Sequence, residues 1–172
     1  MEKKLLLLGI LRQQEMHGYQ LNEFIDANLS LCTDLKKPTA YFLLDKMAAE
    51  GWITAEQEQE GNRPPRRVYR ITPAGEQAFA QLLRENLSEY QSAVFPGDMG
   101  LAFLDSMNPA DALEMLQKQR DELAARLTQF ENIPDHGGSL NLIFEHQIHH
   151  LKAELVWLGG VMERLKTQEE KK

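Results

Sequence analysis

Four arginines, Arg63, Arg66, Arg67 and Arg70, fall within eight consecutive residues beside Pro64 and Pro65, with no acidic residue between them. Guanidinium groups offer paired N–H donors to phosphate oxygens and keep their charge at any physiological pH, so such a run suits a polyanion. A solvated turn is the competing reading. A second constellation, Glu145-His146-Gln147-Ile148-His149-His150, puts His146 and His150 on one helix face one turn apart, the spacing of a metal-binding pair. Its Glu precedes both histidines instead of lying between them, as in the zinc-peptidase order, and no third ligand stands nearby. No metal is therefore expected, and these histidines read as a polar flank of the dimer helix. Trp157 lies beside an apolar stripe, where ordinary packing competes with stacking on a small aromatic effector. Glycine-rich phosphate loops, nucleophile elbows and paired acid–base motifs are missing, so neither catalysis nor a cofactor is expected.

Charge and length set limits on partners. The 172 residues carry a net charge of -7, which taken alone speaks against nucleic acid. The charge is uneven: residues 1–85 are close to balance at -1, and residues 86–172 hold the remaining -6. With a single cysteine, Cys32, the chain has no internal disulfide and no thiolate set for structural zinc, which points to the cytoplasm. The opening MEKKLLLLGIL resembles a signal peptide, but its apolar run stops at Arg12-Gln13-Gln14-Glu15 without a small-residue cleavage site. It reads as a buried first helix. No stretch approaches the roughly 20 apolar residues of a membrane span.

The elements that must hold these side chains follow from periodicity. Gly18 marks a break after the first helix, and Leu21, Phe24, Ile25 and Leu29 give the second helix one apolar face. A third helix begins near Pro38 and ends at Gly51, with Ala40, Leu43, Leu44 and Met47 inward and Thr39, Phe42, Asp45, Lys46 and Ala49 outward. Two extended runs, from Trp52 and again over RRVYRIT, form a hairpin with a proline-bearing tip. Thr72-Pro73 opens a fourth helix, with Phe79, Leu82 and Leu83 on one side, that runs to a break at Phe95-Pro96-Gly97-Asp98. Three helices, a two-stranded wing and a linking helix make a winged helix-turn-helix over residues 1–85.

Residues 86–172 read as wholly helical. Met99, Phe103, Leu104 and Met107 fall on a short segment, and Asn108-Pro109 starts a long helix carrying Leu113, Leu116, Leu123, Leu127 and Phe130. The last helix, from about Ser139 to Lys166, spaces Phe144, Ile148, Leu151, Leu155, Leu158, Met162 and Leu165 by alternating fours and threes. Three unbroken heptads predict lengthwise packing on partner helices, and these seven residues are expected to form a dimer seam. The fold class is thus mainly α, with an N-terminal winged helix and a C-terminal helical dimerisation region.

The segments LLLLGIL, MHGYQL, PTAYFLLDKMAAEGWIT and NRPPRRVYRITPAGE, in this order, resemble the PadR family of transcription regulators over about the first 85 residues. The resemblance implies a DNA-binding winged helix, a helical dimerisation region and ligand-relieved repression. By position, Thr39, Tyr41, Phe42 and Lys46 would lie on the recognition helix, and Arg66, Arg67 and Tyr69 would belong to the wing, joined by Arg63 near its tip. Double-stranded DNA, a second copy of the chain and a small aromatic effector are the expected partners. A winged-helix interaction module that has lost DNA binding is the alternative that the overall acidity permits.

Overall fold

The computed structural model describes residues 1–28, 34–59, 66–90, 92–135 and 137–169. Leu29, Cys32, Arg63 and the proline-bearing wing tip lie outside the described residues. The chain divides into two compact units, Met1–Ser92 and Ala93–Lys172. Among the described residues no helix is long and apolar enough to cross a membrane.

The first unit holds α1 (Glu2–Gln13), β1 (Met16–His17), α2 (Gly18–Asn28), α3 (Lys37–Ala49), β2 (Ile53–Glu58), β3 (Arg66–Ile71) and α4 (Pro73–Ser88). The Leu-rich start of the chain is indeed a helix, and Leu7, Leu8, Ile10 and Leu11 are buried in the core. Also buried in this unit are Leu21 of α2, Ala40, Leu44 and Met47 of α3, and Ile53, Val68 and Tyr69 of the sheet. Each fully buried leucine removes apolar surface worth roughly 1.5–3 kcal/mol. The end of α3 is set by Gly51, whose φ of 74° suits a residue without Cβ. Its N–H bonds the Ala48 carbonyl at 3.0 Å while the Trp52 N–H bonds Met47 at 2.9 Å, the two bonds of a Schellman motif. The chain is thereby turned from the helix directly into β2.

The antiparallel pair β2–β3 is the expected wing, in a register that places Glu56 opposite Val68 and Glu58 opposite Arg66. The sheet has a third strand that periodicity did not reveal. Met16 and His17 pair with Tyr69 and Val68, giving the order β1-β3-β2. Thr72 caps α4 by accepting from the Gly75 N–H at 3.1 Å, with Pro73 in the first turn. This helix ends at Ser88, several residues before the break expected at Phe95. Phe79 packs within 3.3 Å of the space a Gly9 side chain would take, and the Arg12 guanidinium lies 4.4 Å from its ring centre.

The second unit contains α5 (Asp98–Leu101), a 3-10 turn at Leu104–Ser106, α6 (Pro109–Glu131) and α7 (Leu140–Glu169). Asn108 caps α6 as the sequence predicts, accepting from the Ala110 N–H at 2.9 Å. Ala112 and Leu116 near the start of α6 pack with Leu158, Val161, Met162 and Leu165 near the end of α7. At the other end Phe130 meets Phe144, ring centres 6.4 Å apart. The two helices are therefore an antiparallel hairpin. This corrects the expected dimer seam: Phe144, Leu151, Leu158, Met162 and Leu165 are buried inside one chain, and Ile148 and Leu155 are half-buried beside them. A heptad stripe records that a helix has a lengthwise partner, and it is equally satisfied by a helix of the same chain.

Candidate nucleic-acid interface

The outward face of α3 carries Phe42, which is 66% exposed, together with exposed Lys46 and half-buried Thr39. A phenylalanine in water at mid-helix is a cost that packing within this unit does not relieve. Next to it, Arg67 of β3 bonds Asp45 of α3 at 2.7 Å, which ties the wing to the helix and neutralises part of its charge. Arg66 is exposed and makes no ion pair among the described residues. On the other flank, Lys3 and Lys4 of α1 share a depression of about 590 Å³ with Thr39, Phe42 and Lys46. These two lysines escaped the sequence reading because their helix was assigned to the core. They pair with Asp34 and Glu50, at 2.8 and 2.7 Å.

Two of the expected contact residues stand differently. Tyr41 turns toward α2, where a Cβ on Gly18 would come within 2.6 Å of its ring. Tyr69 is fully buried and belongs to the core, so the expectation that it reaches DNA from the wing is corrected. Burial pushes its phenol pKa upward, an effect opposed by the guanidinium of Arg67, which lies nearby without meeting hydrogen-bond geometry. Arg63 lies outside the described residues.

Arg70 is a further departure. Its guanidinium is held by Glu15, by Glu56 at 2.7 Å and by Glu58 at 2.5 Å. The arginine run has no acids along the chain, but strand pairing and the end of α1 bring three carboxylates to its last member. Arg70 is a structural ion-pair centre, and its pKa is driven above the ordinary arginine value first by its hydrogen bond to Glu15 and then by Glu58.

A cavity of about 480 Å³ opens beside these residues at the start of α2, lined by His17, Gly18, Tyr19, Tyr41, Arg66 and Tyr69 among others. In the second unit, His146, His149 and His150 lie on α7, and the His150 ring stacks on Phe95 with centres 6.0 Å apart. Among the described residues no three potential ligands come together around a metal position. Trp157 of α7 is 44% exposed.

Residues 7–81, which span α1 through most of α4, match the sequence model of the transcriptional regulator PadR-like family. The chain is similar to the PadR-like transcriptional regulators. Among its PadR-like relatives is the negative transcriptional regulator PadR of Bacillus subtilis (strain 168), 22% identical over 128 residues that cover 74% of this chain and 70% of that protein. The fold matches the crystal structure of Bacillus subtilis PadR in complex with operator DNA, with a TM-score of 0.78 at 20% identity over 94% of this chain and 98% of that one. It also matches Bacillus subtilis PadR in complex with p-coumaric acid, with a TM-score of 0.78 at 19% identity over 95% and 98% of the two chains. The relatives are regulators and not enzymes, and the match extends through the helical half that the family's sequence model leaves uncovered.

Proposed function

We propose that this PadR-like chain is a repressor that binds double-stranded DNA as a homodimer on a pseudo-palindromic operator. The unit Met1–Ser92 reads DNA and the unit Ala93–Lys172 joins the two copies. The observation that carries this reading is the exposed Phe42 and Lys46 on α3, flanked by Arg66 of the wing. Lys46 and Arg66 supply phosphate contacts, and Phe42 with Thr39 is positioned for apolar contact with a thymine methyl in the major groove. The complex of Bacillus subtilis PadR with operator DNA supports the same use of the fold.

The dimer contact lies on the outer arc of α7. There Leu142, Ile143, Val156 and Trp157 remain 40–79% exposed, outside the seam taken by α6. These are two exposed apolar pairs on a helix already packed on its other side, which supports a subunit contact there. Release from DNA follows binding of a small aromatic effector, as the p-coumaric acid complex of the relative suggests. Trp157 contacts that effector once the second copy closes the site over it.

The test is a salt titration of duplex binding, using a sequence selected from a random library. Wild type should show a steep loss of affinity with salt. Replacing Lys46 and Arg66 together should lower the log–log slope by about 1.8, near 0.9 for each phosphate no longer neutralised. Absence of salt-dependent binding to any duplex would instead favour the protein-interaction module.

A further inference from the structure

Helix α7 carries a second stripe besides the one that packs on α6. Leu142, His146, His149, Ala153, Val156 and Gly160 follow one another at alternating steps of four and three, and every one of them is exposed. No charged residue falls on this stripe, in a chain of which 26% is charged. Its polar members are histidines alone. Among the described residues His146, His149 and His150 make no hydrogen bond or ion pair. The Phe95 ring lies against the face of His150, 28° from parallel, so the nitrogens at the edge of that imidazole are not consumed.

The stripe is self-complementary. Its apolar ends, Leu142 with Ile143 and Val156 with Trp157, are centred on the peptide bond between His149 and His150. When two copies of α7 pack antiparallel about a two-fold axis at that point, each apolar pair meets the other pair of the second copy. Trp157 then faces Leu142 and His146 faces Ala153, large against small, and Glu145 comes beside Lys152 of the second copy. A parallel pairing would set Trp157 on Trp157 and align the helix dipoles unfavourably.

A two-fold axis of this kind keeps each side of the stripe with itself. His150 of one copy therefore adjoins His150 of the other, and His146 stands one turn away on the same face of each helix. Along the helix His150 lies about 1 Å from the axis and His146 about 5 Å, both within reach of an imidazole side chain. Two histidine pairs thus converge on one side of the axis, and the two copies of His149 fall on the other. Four imidazoles without thiolates suit borderline divalent ions such as zinc, nickel and copper. Among the described residues of one chain no three ligands meet, because each copy supplies two.

We propose that the α7 dyad of the dimer binds a divalent transition-metal ion of the zinc class, with His146 and His150 of both copies as its ligands. The inference rests on the subunit contact assigned above to the outer arc of α7. An ion shared in this way binds the dimer and not the monomer, so it tightens the contact and with it the pairing of two DNA-reading units on one operator.

The test uses tag-free protein freed of metal with EDTA. Zinc chloride is titrated by calorimetry, and the dimer dissociation constant is measured by sedimentation with and without zinc. Wild type should take up one ion per two chains. With free zinc at about a hundred times its Kd, the dimer dissociation constant should fall about a hundredfold, and magnesium should leave it unchanged. His146→Ala and His150→Ala should each lose most of that gain while still dimerising in metal-free buffer, and His149→Ala should keep it. In a wild-type dimer that Val156→Asp dissociates, no zinc uptake, or uptake without tighter dimerisation, would overturn the shared site and leave the α7 contact standing. If Val156→Asp remains a dimer in metal-free buffer, the α7 contact falls and the shared site falls with it.

Discussion

At the residue scale, Arg66, Arg67 and Arg70, which look equivalent along the chain, acquire different tasks once their neighbours are known. Arg70 sits among Glu15, Glu56 and Glu58, so its charge is already compensated, whereas Arg66 faces solvent. Replacing Arg66 by Ala should lower the salt slope of duplex binding by about 0.9. Arg70→Ala should leave that slope nearly unchanged and lower Tm, because it releases three carboxylates whose mutual repulsion the guanidinium holds in check. Parallel salt titrations and thermal melts decide this; equal slopes for the two variants would contradict the division of labour. Periodicity could not separate these arginines, since ion pairing across strands depends on register.

At the element scale, the wing and α4 are joined at a point with no spare room. A Cβ on Gly75 would lie 2.0 Å from the Trp52 carbonyl oxygen and 2.8 Å from the Ile71 side chain. Backbone cannot yield as a flexible side chain can, so Gly75→Ala should cost about 3 kcal/mol, at the upper end of overpacking penalties. Denaturant unfolding measures it, and a neutral result would mean that α4 can shift off the wing. The α6–α7 hairpin offers the opposite case. Leu158 is wholly buried against its neighbours, so Leu158→Ala should cost about 2–5 kcal/mol through the cavity it leaves. The N-caps Thr72 and Asn108 and the Gly51 stop were all legible beforehand, because capping is decided within a few residues of chain. The two-residue strand β1 was not, since it exists only through its pairing with β3.

At the scale of the whole molecule, the proposed dimer gives the two faces of α7 separate tasks, folding and assembly. Val156→Asp adds a charge to the outer arc, where the residue is 79% exposed in the single chain, and should yield a folded monomer by sedimentation. Leu158→Asp, on the seam with α6, should instead lose helicity. A Val156→Asp protein that remains a clean dimer would move the subunit contact elsewhere. For the effector, linkage requires that ligand and operator weaken each other by the same factor. Aromatic acids should quench Trp157 fluorescence, with Trp157→Phe separating its signal from that of Trp52. Undiminished release from DNA in Trp157→Ala would remove this residue from the sensor.

Local order in this protein was readable from residue types alone. The N-caps of α4 and α6, the stop of α3, the wing strands, the inward face of α3 and the apolar stripe of α7 depend on neighbours one to four positions away, and the PadR-like resemblance rested on those same short segments. Partnership was decided only by the tertiary structure. Whether Leu151 meets α6 or a second subunit, whether Arg70 meets phosphate or glutamate, and whether Tyr69 is surface or core each turn on residues far away in sequence. The physical reason is that periodicity records how much of a side chain must leave water, while contact and charge compensation depend on what fills the space it enters.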